Sequence, residues 1–197
     1  MPDASDADLL DGQALSQAVR DEVKADIQAW TDDHRPPFLS AVLVGDNPAS
    51  KAYVRGKEKD AAEVGIETDT HHLDADTSQS ELLDLVHDLN ADASVDGVLV
   101  QLPLPDHVDE RTVIDAVDPS KDVDGLHPEN LGRLMRGTPR YIPATPYGIM
   151  EMLSRSDLDP DSLDAVIVGR PNIVGKPLAN LLLRRTAHGT VTVCHSR

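Results

Sequence analysis

Aromatic residues make up only 3% of this 197-residue chain, lysine occurs six times and cysteine once. With so few rings, the core has to be built from Val, Leu, Ile and Ala, and a hydrophobic content of 40% is enough to pack one. A single cysteine, Cys194, excludes an internal disulfide, and nothing points to an oxidising compartment. No apolar run approaches the roughly 20 residues of a membrane span. The opening stretch MPDASDADLLDG has neither the basic nor the apolar region of a signal peptide. Together these absences predict a soluble, cytoplasmic protein.

Positive charge is also in short supply. Eighteen Lys and Arg face 35 Asp and Glu, a formal net charge of −17, and 27 of the acids are Asp. Phosphates would be repelled almost everywhere, which argues against nucleic-acid binding. The acids are spread along the chain rather than gathered in a block. This favours a hydrated acidic surface suited to a high-salt cytoplasm over a face for one basic partner.

Apolar periodicity predicts a helix over 13–31, where Leu15, Val19, Val23, Ile27 and Trp30 recur behind a possible Asp11 cap. Buried strands are expected at 38–45, 97–103 and 164–170, a shorter strand at 66–72 and a last one at 190–196. Helices are expected at 49–64, stopped by Gly65, and at the capping box Ser78 and Glu81. Further helices fall at 108–117, at 146–155 with Thr145 as cap and Pro146 in its first turn, and at 173–185. Alternation of continuously apolar strands with helices means an α/β fold with a mostly parallel sheet. The Pro- and Gly-rich segment 121–145 reads as a connector between a first domain, 1–120, and a second beginning at 146.

Against the overall scarcity, SKAYVRGKEKDAAEVG (50–65) holds Lys51, Lys57, Lys59 and Tyr53. Tyr53 and Lys57 lie one helical turn apart on a shared face. A ring there can stack on a flat ligand, and a lysine beside it can move protons if burial lowers its pKa; an ordinary surface lysine is the plainer alternative. Gln101 falls at the carboxyl end of an expected strand, where α/β sheets bind ligands, although a loop hydrogen bond would also account for it. In KDVDG (121–125), one carboxylate can cap the turn while the other projects, able to accept paired N–H donors from an aminopyrimidine ring. The spacing suits no metal. VIVGRPNIVGKP has the strand, glycine turn and helix of a dinucleotide site without matching G-x-G-x-x-G. Arg170, Ser196 and Arg197 could meet a ribose phosphate, which favours NADP over NAD.

Taken in order, YVRGK (53–57), VQLPLP (100–105), PSKDVDG (119–125), PATPYG (143–148), VGRPNIVGKP (168–177) and CHS (194–196) resemble the bifunctional methylenetetrahydrofolate dehydrogenase/methenyltetrahydrofolate cyclohydrolase (FolD) family over essentially the whole chain. The acidic bias resembles that of halophilic archaeal members. The resemblance implies an N-terminal α/β catalytic domain followed by a Rossmann-type NADP-binding domain. It also implies tetrahydrofolate substrates, NADP as cofactor, no metal and a homodimer. Lys57 would be the catalytic lysine, Gln101 its hydrogen-bonding partner, Tyr53 the ring that stacks on folate, and Asp124 the pterin anchor. Val54, Arg55, Gly56, Val100 and Leu102 would complete the substrate site. Gly169, Arg170, Pro171 and Ser196 would line the NADP site.

Three departures accompany the resemblance. Ala144 stands where the family often has Cys. Pro171 replaces a common Ser and removes a hydroxyl and an N–H from the phosphate turn. Family members also continue well past Arg197, so the resemblance implies an incomplete nucleotide domain with an exposed sheet edge. Two rival expectations are a shikimate-type NADP dehydrogenase with a Lys–Asp pair, and a truncated folate-binding remnant that is non-catalytic, or a cyclohydrolase only, and pairs with a full-length subunit.

Overall fold

The computed structural model describes residues 10–156, 158, 162–184 and 189–195. Three parallel strands form the first sheet in the order β2-β1-β3: β1 (Phe38–Val44), β2 (Glu67–Leu73) and β3 (Gly97–Val100). The central strand β1 is buried from Ser40 to Val44, as its unbroken apolar run requires. On one face Val42, Val44, Val98 and Val100 pack against Leu82, Val86 and Leu89 of α3 (Gln79–Ala91) and Val113 of α4 (Glu110–Ala116). On the other, Ala41, Leu43 and Leu99 meet Val54 of α2 (Pro48–Val64). Each fully buried Val or Leu contributes about 1.5–3 kcal/mol.

Local signals set the helix ends. Asp11 accepts from the amides of Gln13 and Ala14 at the start of α1 (Gly12–Thr31). Asn47 caps α2, which stops at Gly65 in the left-handed conformation at φ 93°. Ser78 and Glu81 form the reciprocal capping box of α3. None of the residues of α1 is fully buried, and Trp30, expected on its inward face, is 53% exposed and stacks on His34.

The second sheet pairs β4 (Ala165–Val168) with β5 (Val191–Cys194), again in parallel. One of its faces, carrying Ile167, is covered by Leu134 of α5 (Pro128–Met135), Met150 of α6 (Ala144–Ser154) and Ala179, Leu181 and Leu182 of α7 (Gly175–Leu182). Val166 and Val168 on the opposite face are exposed, as is Val193.

Several expected boundaries shift. Strand β3 ends at Val100 rather than 103: the Gln101 amide still donates to Val42 O at 2.8 Å, and the pairing stops short of Pro103, which has no N–H to donate. Thr145 does not cap α6. The helix starts at Ala144 behind Pro143, and Pro146 sits fully buried in its first turn, where a missing N–H is tolerated. The segment 121–145, expected as a connector, contains a helix not foreseen there: α5, capped by His127 with Pro128 in the first turn.

Candidate active site

The helix α2 starts three residues beyond Gly45, which turns the chain after β1, so its first turns stand over the carboxyl ends of the strands. Tyr53 and Lys57 project from it one turn apart. Both line a cleft of about 440 Å³ whose floor includes Val100, Gln101 and Leu102 at the end of β3. Asp124 enters from the turn after Asp122. Pro143, with Ala144 and Thr145 of α6, and Ile173 from the turn before α7 complete the lining.

Tyr53 is 69% exposed, its ring free to stack on a planar ligand. Lys57 is exposed rather than buried, its ammonium open to a ligand entering the cleft. Gln101 does not hydrogen-bond Lys57. Its Nε2 donates to the carbonyl of Leu102 at 2.6 Å, while its buried Oε1 has no partner. Such an orphaned acceptor is a costly feature to keep in a folded protein and marks a place for an incoming donor.

The two carboxylates of KDVDG divide their work as the turn chemistry suggests. Asp122 is 5% exposed and accepts from the amides of Leu126 at 3.3 Å and His127 at 2.8 Å, and from Asn130 Nδ2 at 2.8 Å. Asp124 instead faces the cleft. Burial pushes the Asp124 carboxyl above its ordinary value; the Lys57 ammonium opposes this, and the Asp122 charge reinforces it.

Other expected residues lie elsewhere. Val54 is 3% exposed and packs in the core with Leu43 and Leu99, so it does not reach the cleft. It shares α2 with Tyr53 but points to the sheet, as a one-residue step on a helix demands. Arg55 is exposed and outside the cleft. Gly56 lines an adjoining hollow of about 320 Å³ beside Tyr53 and Lys57. Lys51 is taken up by an ion pair with Asp46.

In the second sheet, Gly169 at φ 120° turns the chain after β4. A side chain at Gly175 would run into the Gly169 carbonyl at 2.4 Å, so glycine there lets the start of α7 close onto the turn. This packing suits a dinucleotide turn, with Arg170 and Pro171 exposed on it. Ser196 and Arg197 lie outside the described residues. Sequence reasoning missed Asn47, Thr145 and Ile173 as cleft residues. Asn47 could have been found from the Asn-Pro capping pair; Ile173 carried no local signal.

This geometry has known counterparts. The model of the tetrahydrofolate dehydrogenase/cyclohydrolase catalytic domain matches residues 10–124, and that of the corresponding NAD(P)-binding domain matches 143–197. The chain belongs to the tetrahydrofolate dehydrogenase/cyclohydrolase family. It is 95% identical over 197 residues to the bifunctional protein FolD of Salinibacter ruber and 53% identical over 190 residues to that of Halothermothrix orenii. These alignments cover 100% and 95% of the chain and 66% of each relative, so this family member spans about two thirds of their length. Among solved structures it resembles the bifunctional enzyme FolD from Campylobacter jejuni, with a TM-score of 0.92 and 45% identity over 96% of this chain and 67% of that one. The Trypanosoma brucei enzyme complexed with NADP cofactor and inhibitor has a TM-score of 0.90 and 34% identity over 96% of this chain and 64% of that one.

Proposed function

We propose that this chain binds tetrahydrofolate derivatives in the cleft, oxidises 5,10-methylenetetrahydrofolate with NADP and hydrolyses the methenyl product to 10-formyltetrahydrofolate. The observation that carries the proposal is the convergence of Tyr53, Lys57, Gln101 and Asp124 from three separate elements on one cleft. The exposed Tyr53 ring stacks on the flat substrate. Ionised Asp124 accepts the paired N–H donors of its aminopyrimidine end. The methenyl carbon carries positive charge, so water needs only modest activation to attack it. Lys57, once covered by the ring system, manages the protons of that addition and of the ring opening. The unpartnered Gln101 Oε1 accepts a hydrogen bond from Lys57 or from the attacking water and holds it in line.

Gly169, Arg170 and Pro171 would hold NADP at the turn after β4, with Ser196 as a further expected contact. When bound, NADP supplies the acceptor for the hydride leaving the methylene carbon. The Arg170 guanidinium, exposed next to Gly169, suits an added ribose phosphate. The division into a folate-binding domain (1–120), a connecting segment (121–145) and a nucleotide domain from 146 belongs to the same proposal. It is supported by the two separate sheets.

Among the described residues, no helix is long and apolar enough to cross a membrane. A homodimer in a salty cytoplasm, with no nucleic-acid partner, fits the family and the net charge of −17; sizing in concentrated KCl tests the dimer.

The test is an assay in concentrated KCl that follows methenyl absorbance. The chain receives 5,10-methylenetetrahydrofolate with NADP+, or 5,10-methenyltetrahydrofolate alone. Formation in the first and enzymatic decay in the second support both activities. Decay alone supports the hydrolase and removes the dehydrogenase. Neither, with no folate binding, overturns the proposal.

A further inference from the structure

Behind the cleft lies a buried polar pair that the chemistry above does not use. Asn130, in the first turn of α5, is 0% exposed. Its Nδ2 donates to Pro119 O at 2.9 Å and to Asp122 Oδ2 at 2.8 Å, closing the loop from both ends. Asp122 in turn gathers the amides of Leu126 and His127. The loop is pinned to the first sheet as well: the Val98 amide donates to Lys121 O at 2.8 Å, and Val98 and Asp122 form a parallel bridge. It also packs closely on the residues that lead into α6, because a Cβ at Gly125 would stand 3.0 Å from Pro143 N. Asp124 is the member of this loop that faces the cleft.

We propose that Asp122 and Asn130 are positioning residues for ligand binding: together they fix the loop that aims the Asp124 carboxylate at the ligand. This rests on the folate-anchoring role given to Asp124 above. A carboxylate that must meet two N–H donors at once tolerates little error in direction, and Asp124 has no hydrogen bond of its own to fix it. Its aim therefore comes from the backbone, and three donors converging on Asp122 hold that backbone. Asp122 needs both oxygens as acceptors. Asp122→Asn keeps the shape but sets an N–H₂ against a buried donor. Asn130→Ala removes the donor that closes the loop.

The experiment titrates folic acid, which carries the aminopyrimidine and does not react, against the full chain in concentrated KCl. Asp122→Asn and Asn130→Ala are expected to raise the folate Kd tenfold or more. In the methenyl assay, KM should rise more than kcat falls, since Lys57 and Gln101 stay in place. Val86→Ala controls for general weakening: it thins the core against the first sheet, away from the cleft, and should leave Kd within twofold. If Asn130→Ala does not fold, the shape-preserving Asp122→Asn decides. Folate bound by the variants as tightly as by the unaltered chain overturns the positioning role alone. No folate binding by the unaltered chain overturns the reading of Asp124, and the positioning role with it.

Discussion

Lys57 and Asp124 face the same cleft from α2 and from the loop after α4, close enough that the ammonium pulls the carboxyl's proton affinity down, yet no ion pair joins them. A bonded pair would spend both charges on each other. Held apart, each stays available to a ligand that enters between them.

Lys57→Ala should abolish methenyl hydrolysis, with a loss of about 10²-fold or more, the range for a removed proton-transfer group. Lys57 is exposed and bonded to nothing, so stability should change by no more than about 0.5 kcal/mol. Absorbance decay and thermal melts measure the two effects. Hydrolysis that survives the substitution would remove Lys57 from the mechanism.

Asp124→Asn should separate stability from binding. Burial raises the Asp124 carboxyl in the folded state, so the folded protein holds its proton more tightly than the unfolded chain. The stability linked to that proton is complete below the unfolded pKa and is lost as pH rises through the raised folded value. At neutral pH the ionised carboxylate is therefore a burden on the fold. Asn relieves it, and the melting temperature at pH 7 should rise while folate binding weakens. Folate binding to the unaltered chain should also fade on acidification at a pH above the ordinary Asp range. A melting temperature that falls in Asp124→Asn would contradict this account.

Much of the first domain was legible because its signals are local. Asp11, Ser78 with Glu81, and Gly65 stand next to the ends they set, and the β1 run is apolar without a break. The α5 helix was hidden because His127 is an uncommon cap and the Pro and Gly around it look like loop chemistry. In the site, the Tyr53–Lys57 pair follows from helix periodicity, and the split between Asp122 and Asp124 from turn chemistry. Val54 was misplaced because a motif treats neighbours as equals, while a helix turns them about 100° apart. That Gln101 would bond the Leu102 carbonyl rather than Lys57 is set by the conformation of the segment after β3, which no local residue pattern announces.

Pro171→Ser should tighten NADP binding by about tenfold, the worth of one hydrogen bond from a restored N–H to a charged phosphate. Fluorescence titration with NADPH reads this directly. An unchanged Kd would mean that the phosphate does not meet the chain at residue 171.

Desalting should unfold the chain. With a net charge of −17, self-repulsion grows as the screening length rises from about 3 Å in molar salt to about 30 Å in dilute buffer. Circular dichroism at falling KCl should show loss of helix. A spectrum that does not change would argue against a salt-adapted surface.

Gly125 presses against Pro143, the residue that opens α6, with no room for a methyl group between them. The loop that carries Asp124 is bridged to β3 through Val98 and abuts the start of α6 at Pro143. It works as a keystone, wedged between the first sheet and the helix that follows. A bulkier residue at 125 would push the carboxylate off its mark without touching any group that meets the ligand.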